Sequence, residues 1–367
     1  MPRSAELRPP HIRSRGSNSV SSVAIRFQAR ALKPHKAIKS ARFDVRTVLT
    51  ASPWEFVSLW LKREKQENAL LLWNQAREFH QVALGLSLQS APLAIYYSCM
   101  NATKALLTAK GLSFNPHHGV RADDLRGSSI RIRLSNEGVK IKSTGVLPSL
   151  STYFGETETA TKQSLKEILF NIPYVHRTYC LTYIKQRDMF LPLTDCGFVV
   201  NPGTKDGFFQ ANISIDFQMS AVKRYLPNSM IPNPSEGARA IRSASTFALT
   251  RPENLNNIDL MTLRAFNETL RKDLHYINGT QTLWYLKLRV KGPARLERYT
   301  PTLTLAAMHR LSEICRYRPV ELAKFMASDE SWLLTELVQS APNQFLDAIA
   351  AELTGYQFLL PNVRPAA

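Results

Sequence analysis

Cysteine is scarce and scattered in this chain. Its four, Cys99, Cys180, Cys196 and Cys315, never fall in a C-x-x-C spacing. That argues against a disulfide framework or a zinc site and points to reduced thiols in a cytoplasmic protein. Long apolar runs are missing too. None approaches the ~18–20 residues that a membrane-spanning helix needs, and the first residues lack the apolar core of a secretory signal. Membrane association is therefore not expected. No GxxxxGK[ST] loop, GxGxxG turn, GxSxG elbow or HExxH pair occurs. P-loop hydrolysis, dinucleotide redox chemistry and α/β-hydrolase chemistry lose their usual carriers, and no cofactor or metal is implied.

Negative charge is also short. Asp and Glu number 29 against 47 Lys and Arg, leaving a net charge of +18. The excess is uneven, because residues 1–47 carry 11 Lys or Arg against Glu6 and Asp44 alone. With Pro9, Pro10, Gly16 and the run SNSVSS, this stretch reads as a disordered basic arm over residues 1–50. Such an arm suits phosphate contacts, and a merely solvated extension is the plain alternative.

What is present is periodic. Pro53–Leu61, Glu67–Leu86 and Pro92–Lys110 read as three successive helices. The third, in PLAIYYSCMNATKALLTAKG, is apolar on two sides, which marks a buried central helix. Pro92 suits its first turn and Gly111 its end. Asn101 and Lys104 project from one face of it, where they could line a pocket for a phosphate or a base, or satisfy core carbonyls and a carboxylate such as Asp347 or Glu352. SIRIRL at Ser129–Leu134 and VKIK at Val139–Lys142 alternate strictly around a Ser-Asn-Glu-Gly turn and predict a β-hairpin. Arg131, Arg133, Lys140 and Lys142 would share its outer face and favour a nucleic-acid backbone or another polyanion. Further strands are expected at Gly197–Val200, Phe208–Phe217, Ala238–Leu249 and Thr282–Val290, with helices at Gln163–Tyr183 and Leu260–His275. The C-terminal part reads as helices over Pro301–Arg318, Ser331–Ser340 and Pro342–Thr354, stopped by Gly355. The expected divisions are 1–50 (arm), 51–125 (helical), 126–295 (mixed and β-rich) and 296–367 (helical).

Two constellations could carry chemistry. His309, Glu313 and Arg316 fall at i, i+4 and i+7 and would align on one helix face. His could move a proton, Glu orient it and Arg hold an anionic oxygen. An ordinary surface ion-pair row fits the same spacing. His117 and His118 follow the central helix, where with Asp123 and Asp124 nearby they could bind a metal, though adjacent loop ligands are a weak signal, or simply cap neighbouring backbone.

The segments YYSCMNATKALLTAKGL with HHGV, and HRLSEICRYRP, WLLTELV and QFLDAIAAELTG further on, resemble the bacterial YaaC-like family in this order. The first of them also resembles the central helix and loop of the HEPN superfamily, helical domains found in RNases and in toxin–antitoxin and phage-defence proteins. This likeness implies an α+β chain in which N- and C-terminal helices form a HEPN-like bundle around a β-rich middle region. It also implies a homodimer and a link to RNA and ribonuclease activity; should the chain cleave RNA, His309, Glu313 and Arg316, read from their spacing, are the catalytic candidates. The Arg-x4–6-His motif of catalytic HEPN RNases is absent, however. Arg271 and His275, Arg77 and His80, and the reversed pair His309 and Arg316 all miss it. The alternative is therefore a non-enzymatic interaction component of a defence or toxin–antitoxin system, with a partner protein encoded nearby.

Overall fold

Apolar residues at alternating and at three-to-four-residue spacings predict both strands and helices, and a computed structural model shows where each lies. It describes residues 22–127, 132–201, 203–290 and 295–360. The helices are α1 (Pro53–Arg63), α2 (Glu67–Leu84), α3 (Ala91–Ala109), α4 (Val146–Phe154), α5 (Leu165–Phe170), α6 (Pro173–Thr182), α7 (Met219–Val222), α8 (Asn257–Leu270), α9 (Thr300–Tyr317), α10 (Pro319–Met326) and α11 (Ser331–Thr354). Four short strands precede α1: β1 (Val23–Ala24), β2 (Arg26–Phe27), β3 (Arg30–Ala31) and β4 (Val48–Leu49). After α3 come β5 (Val120–Asp124), β6 (Glu137–Ile141), β7 (Lys162–Ser164), β8 (Phe190–Val200) and β9 (Asp206–Ile213). The remaining strands are β10 (Met230–Pro232), β11 (Ala240–Ser243), β12 (Phe247–Ala248), β13 (Leu274–Ile277), β14 (Leu283–Lys287) and β15 (Phe358–Leu359).

The helices start and stop where their sequences say they should. Ser52 accepts a hydrogen bond from the Glu55 amide at 3.3 Å and caps α1. Ser164 with Glu167, and Asn256 with Asp259, close reciprocal capping boxes on α5 and α8. Gly355 ends α11 at φ +74°, a left-handed conformation that a Cβ disfavours. α3 is buried on all sides, with Ile95, Cys99, Ala102, Ala105, Leu106 and Leu107 hidden from solvent. α2, α4, α9 and α11 pack around it.

The larger sheet has eight strands in the order β10-β11-β9-β8-β14-β13, with β1 beside β8 and β12 beside β9. All its pairings are antiparallel. Phe198 opposes Phe209 across the β8–β9 pair, and both are buried. Phe209, Ala211 and Ile213 alternate into a second core, where Phe266 of α8 meets the rings of Phe198 and Phe247. Their period of two is the one the sequence shows.

Several expectations need correction. The HEPN-like helical bundle is overturned: the chain is α+β with a large antiparallel sheet, and nothing in it marks such a bundle. Helices α4, α5 and α6 from the middle of the chain pack against α3, α9 and α11, so the terminal helices do not close on one another alone. Their apolar faces are too wide for that and bury against the middle helices instead. Residues 22–50 are not a loose arm. Ile25, Leu32, Ala37, Ile38 and Phe43 are buried, and Lys36 pairs with Asp347 at 3.0 Å. Residues 129–131 of the expected hairpin lie outside the described residues, and its second strand takes other partners. β6 pairs with β5 and β7, and Leu134–Asn136 is a short helical turn with Leu134 buried. A flanking strand of matching register outcompetes the near neighbour. The strand expected to reach Phe217 ends at Ile213, since Ser214–Phe217 turn away and Ile215 is exposed. The two last helices are one, α11, with Pro342 inside it. A single missing backbone donor is tolerated where the helix is packed along its length.

Candidate functional site

The residues singled out on three distant segments meet where the loop after α3 crosses the middle of α9. The loop is placed by its backbone. The His117 carbonyl accepts the Val146 amide at 2.9 Å, and the His118 carbonyl accepts the Leu147 amide at 3.2 Å. Two of the orphan N–H groups of α4 are satisfied in this way. The Lys142 amide donates to the Gly119 carbonyl at 2.9 Å. Gly119 (φ +72°) and Gly145 (φ +122°) cross so closely that a Cβ on Gly145 would strike the Gly119 backbone and the His117 ring. Gly145→Ala is therefore expected to destabilise the fold by about 2–4 kcal/mol and to move the histidine loop. A denaturant melt followed by imidazole NMR shifts checks this, and an unshifted His118 signal would contradict it.

The Tyr96 hydroxyl lies 2.5 Å from His118 Nδ1. Burial pushes the Tyr96 phenol far above its usual range, so it stays protonated. The hydroxyl also reaches Met100 Sδ at 3.5 Å and His118 Nδ1 lies 3.1 Å from the same sulfur, so either partner of the Tyr96–His118 contact can be the donor. Burial lowers the basicity of His118, and the positive charges of Lys104, Arg316, His117 and Lys142 lower it further. His309 contacts both rings, with centroids 5.2 Å from Tyr96 and 5.6 Å from His118.

His309 itself is buried, and burial holds it down at about 3, with His118, Arg310 and Arg316 adding to the effect. It is neutral at physiological pH. Its Nδ1 lies 3.7 Å from Glu313 Oε2 and makes no hydrogen bond among the described residues. The same Glu313 oxygen is 3.5 Å from Arg310 Nη1. Glu313 is half-buried, and burial raises its carboxyl above the ordinary range. Arg316 is exposed, and its guanidinium lies 4.3 Å from the centre of the Tyr317 ring.

The small sheet extends this face. Lys140 on β6 opposes Arg121 on β5 and Lys162 on β7, so three cations form one row across the strands. Lys162 is partly neutralised by Asp123 at 3.3 Å. The row begins just beyond His118, because β5 starts at Val120. Lys142, exposed, follows β6 directly. Arg133 is exposed beside the short turn and lies in no ladder. Arg131 lies outside the described residues. Asn101 is buried on α3. The carboxylates expected as partners for Asn101 and Lys104 are occupied elsewhere. Asp347 holds Lys36 and the Tyr276 hydroxyl, and Glu352 takes the Lys39 and Ser40 amides and the Tyr153 hydroxyl.

Tyr96, Arg121 and Lys162 were not singled out from the sequence. Arg121 was hidden because VRADD does not alternate like a strand, so no ladder was expected there. Tyr96 looked like one more apolar residue of a buried helix.

One cluster resembles a metal centre and does not act as one. His176, Cys180 and Asp188 offer ligand atoms within 4.8 Å of each other. His176 Nε2, however, already accepts the Met189 amide at 2.8 Å, and Nδ1 lies 3.2 Å from the Phe170 carbonyl. Both nitrogens are spent on the backbone, and burial keeps the Cys180 thiol protonated by raising it to about 12.

A family model described as YaaC-like Protein matches residues 40–353. No curated protein and no solved structure matches the chain.

Proposed function

We propose that this chain, a member of the YaaC-like protein family, binds RNA along the basic face that runs from the small sheet to α9. The observation that carries the reading is a set of cations near His118: Lys104, Lys142 and Arg316 lie close enough to lower its basicity, and Arg121 and Lys140 pair across β5 and β6, the first of which begins two residues further on. None of the five forms an ion pair with a carboxylate among the described residues. Cations with no carboxylate partner repel one another, and a phosphate backbone relieves that repulsion. The His118 ring, held by Tyr96, offers its Nε2 edge to the RNA.

Cleavage is the finer part of this reading. In it, Arg316 holds a phosphate oxygen and His118 moves the proton. His309, held neutral by burial, positions the His118 ring together with Tyr96. Glu313 sits behind His309 and balances Arg310.

Labelled RNA at two salt concentrations tests it. Five phosphate contacts predict that log K falls against log salt with a slope of about −3 to −4. The Lys140→Glu/Lys142→Glu/Arg316→Glu variant is expected to bind on the order of 100-fold more weakly, with a shallower slope. His118→Ala is expected to keep most binding and to lose cleavage. Wild-type protein that binds no RNA at either salt concentration would overturn the reading. The non-enzymatic interaction component would then take its place.

A further inference from the structure

One cavity among the described residues shares no residue with the basic face. It encloses about 640 Å³, within the ~300–1,000 Å³ of small-molecule sites. Its walls come from four places: residues 30–36 and 42–47 of the N-terminal segment, the irregularity of β8 at Thr194–Cys196, the β13–β14 loop, and β15. The segment expected to be a loose arm therefore builds one wall of it.

The chemistry of the lining is divided. Phe43, Leu193, Trp284 and Phe358 are buried and give an apolar, largely aromatic floor. Thr47, Thr194, Thr280, Gln281 and Thr282 place hydroxyls and an amide around it. Two cations stand over them. The Arg30 guanidinium donates to the Val45 carbonyl at 2.6 Å and the Phe43 carbonyl at 2.7 Å. Neutral partners hold it in place without cancelling its charge. Asp44 lies near Arg30 but is already ion-paired with Arg42 at 2.6 Å. Lys33 is exposed and has no ion pair among the described residues. The one acid in the lining, Asp195, accepts hydrogen bonds from Thr194 and Asn212 at 3.1 and 3.0 Å. Lys36 and Arg42 are occupied by Asp347 and Asp44.

We infer that this cavity is a binding site for a nucleotide-sized organic phosphate. The flat ring system lies on the Phe43–Trp284–Phe358 floor. The threonines and Gln281 meet its sugar and ring edges, and Arg30 with Lys33 meets the phosphate. A fixed guanidinium beside a mobile ammonium suits such a group, because the first sets direction and the second adds charge.

Calorimetric titration of the full chain with each of the four ribonucleoside 5′-monophosphates tests the assignment. The matching nucleosides and inorganic phosphate serve as controls. At least one monophosphate is expected to bind with Kd under about 1 mM. Its affinity should fall at least ~10-fold in Lys33→Glu, a change at an exposed side chain that leaves the fold intact. Lys142→Glu, on the separate basic face, should leave it unchanged. Saturable binding by none of the four would overturn the inference. So would inorganic phosphate binding as tightly as the nucleotide, or a loss in Lys142→Glu equal to that in Lys33→Glu. Thr282→Val, which removes one hydroxyl from the lining, should weaken the nucleotide and leave inorganic phosphate unaffected. Because the two sites share no residue, RNA binding and nucleotide binding can fail independently.

Discussion

Glu137→Ala is expected to cost the fold about 3–5 kcal/mol, the usual price of breaking a buried ion pair from one side. Glu137 is completely buried at the start of β6. Its carboxylate takes Arg126 at 2.7 Å, both Nη atoms of Arg318 at 2.9 Å, and Arg310 as well. Glu321 adds a second carboxylate to Arg126 and Arg318. Removing Glu137 leaves Arg310, itself buried, with only the more distant Glu313. The cluster also ties α9 and α10 to the small sheet, the two elements that meet at His118. The variant should therefore lose RNA binding together with stability. Arg310→Leu added to Glu137→Ala is expected to recover part of the loss, since it removes the buried unpaired charge. A denaturant titration of the single and double variants decides it. A single variant as stable as wild type would show that the arginines are hydrated and the cluster is not a buried one.

Acidification is the second large effect. His35 and His309 are held down at about 3, His176 at about 4, and His275 well below its usual range, in each case mainly by burial. All four are buried and neutral in the fold. In the unfolded chain they take protons below a pKa of about 6.5. Between those limits the unfolded state binds more protons, so stability rises with pH. It is full above about pH 7 and falls as the pH drops through 6.5. At pH 5.5 each such histidine costs about 1.4 kcal/mol, and the four together cost up to about 6 kcal/mol. Burial raises Asp347 and Glu156 above the ordinary carboxylate range, and proton uptake there in the folded state offsets part of the loss. Urea midpoints at pH 7.5 and 5.5 should therefore differ by several kcal/mol. A flat profile would mean that these imidazoles protonate without leaving the fold. His309→Gln should flatten the profile by about one histidine's share.

The sequence alone determined the local structure of this protein. α3 was legible because apolar residues cover its whole circumference, between Pro92 and Gly111. β9 and β14 were legible because Phe209, Ala211 and Ile213, and Trp284, Leu286 and Leu288, repeat at a period of two. The chemistry of the candidate site was legible as residue types: His118, Lys104, Lys142, His309, Glu313 and Arg316 all stood out. These are properties of a dozen neighbouring residues, and periodicity, capping and charge act at that range.

The tertiary structure alone decided partners. VKIK reads as half of a local hairpin, and the register with VRADD and with Lys162–Ser164 places it instead at the centre of a three-stranded sheet. Residues 22–50 looked too polar and too charged to pack. They pack because Asp347 and Glu352, more than three hundred residues away in the chain, satisfy Lys36 and the backbone around it. Pro342 reads as a break until a core lies along both halves of α11. The likeness to a HEPN-like bundle failed for the same reason, since an apolar face states that a helix must be covered and not by what. The row Arg121–Lys140–Lys162 and the Tyr96–His118 contact are also products of register and crossing. Burial and charge neutralisation are summed over the whole chain, and no stretch of sequence carries that sum by itself.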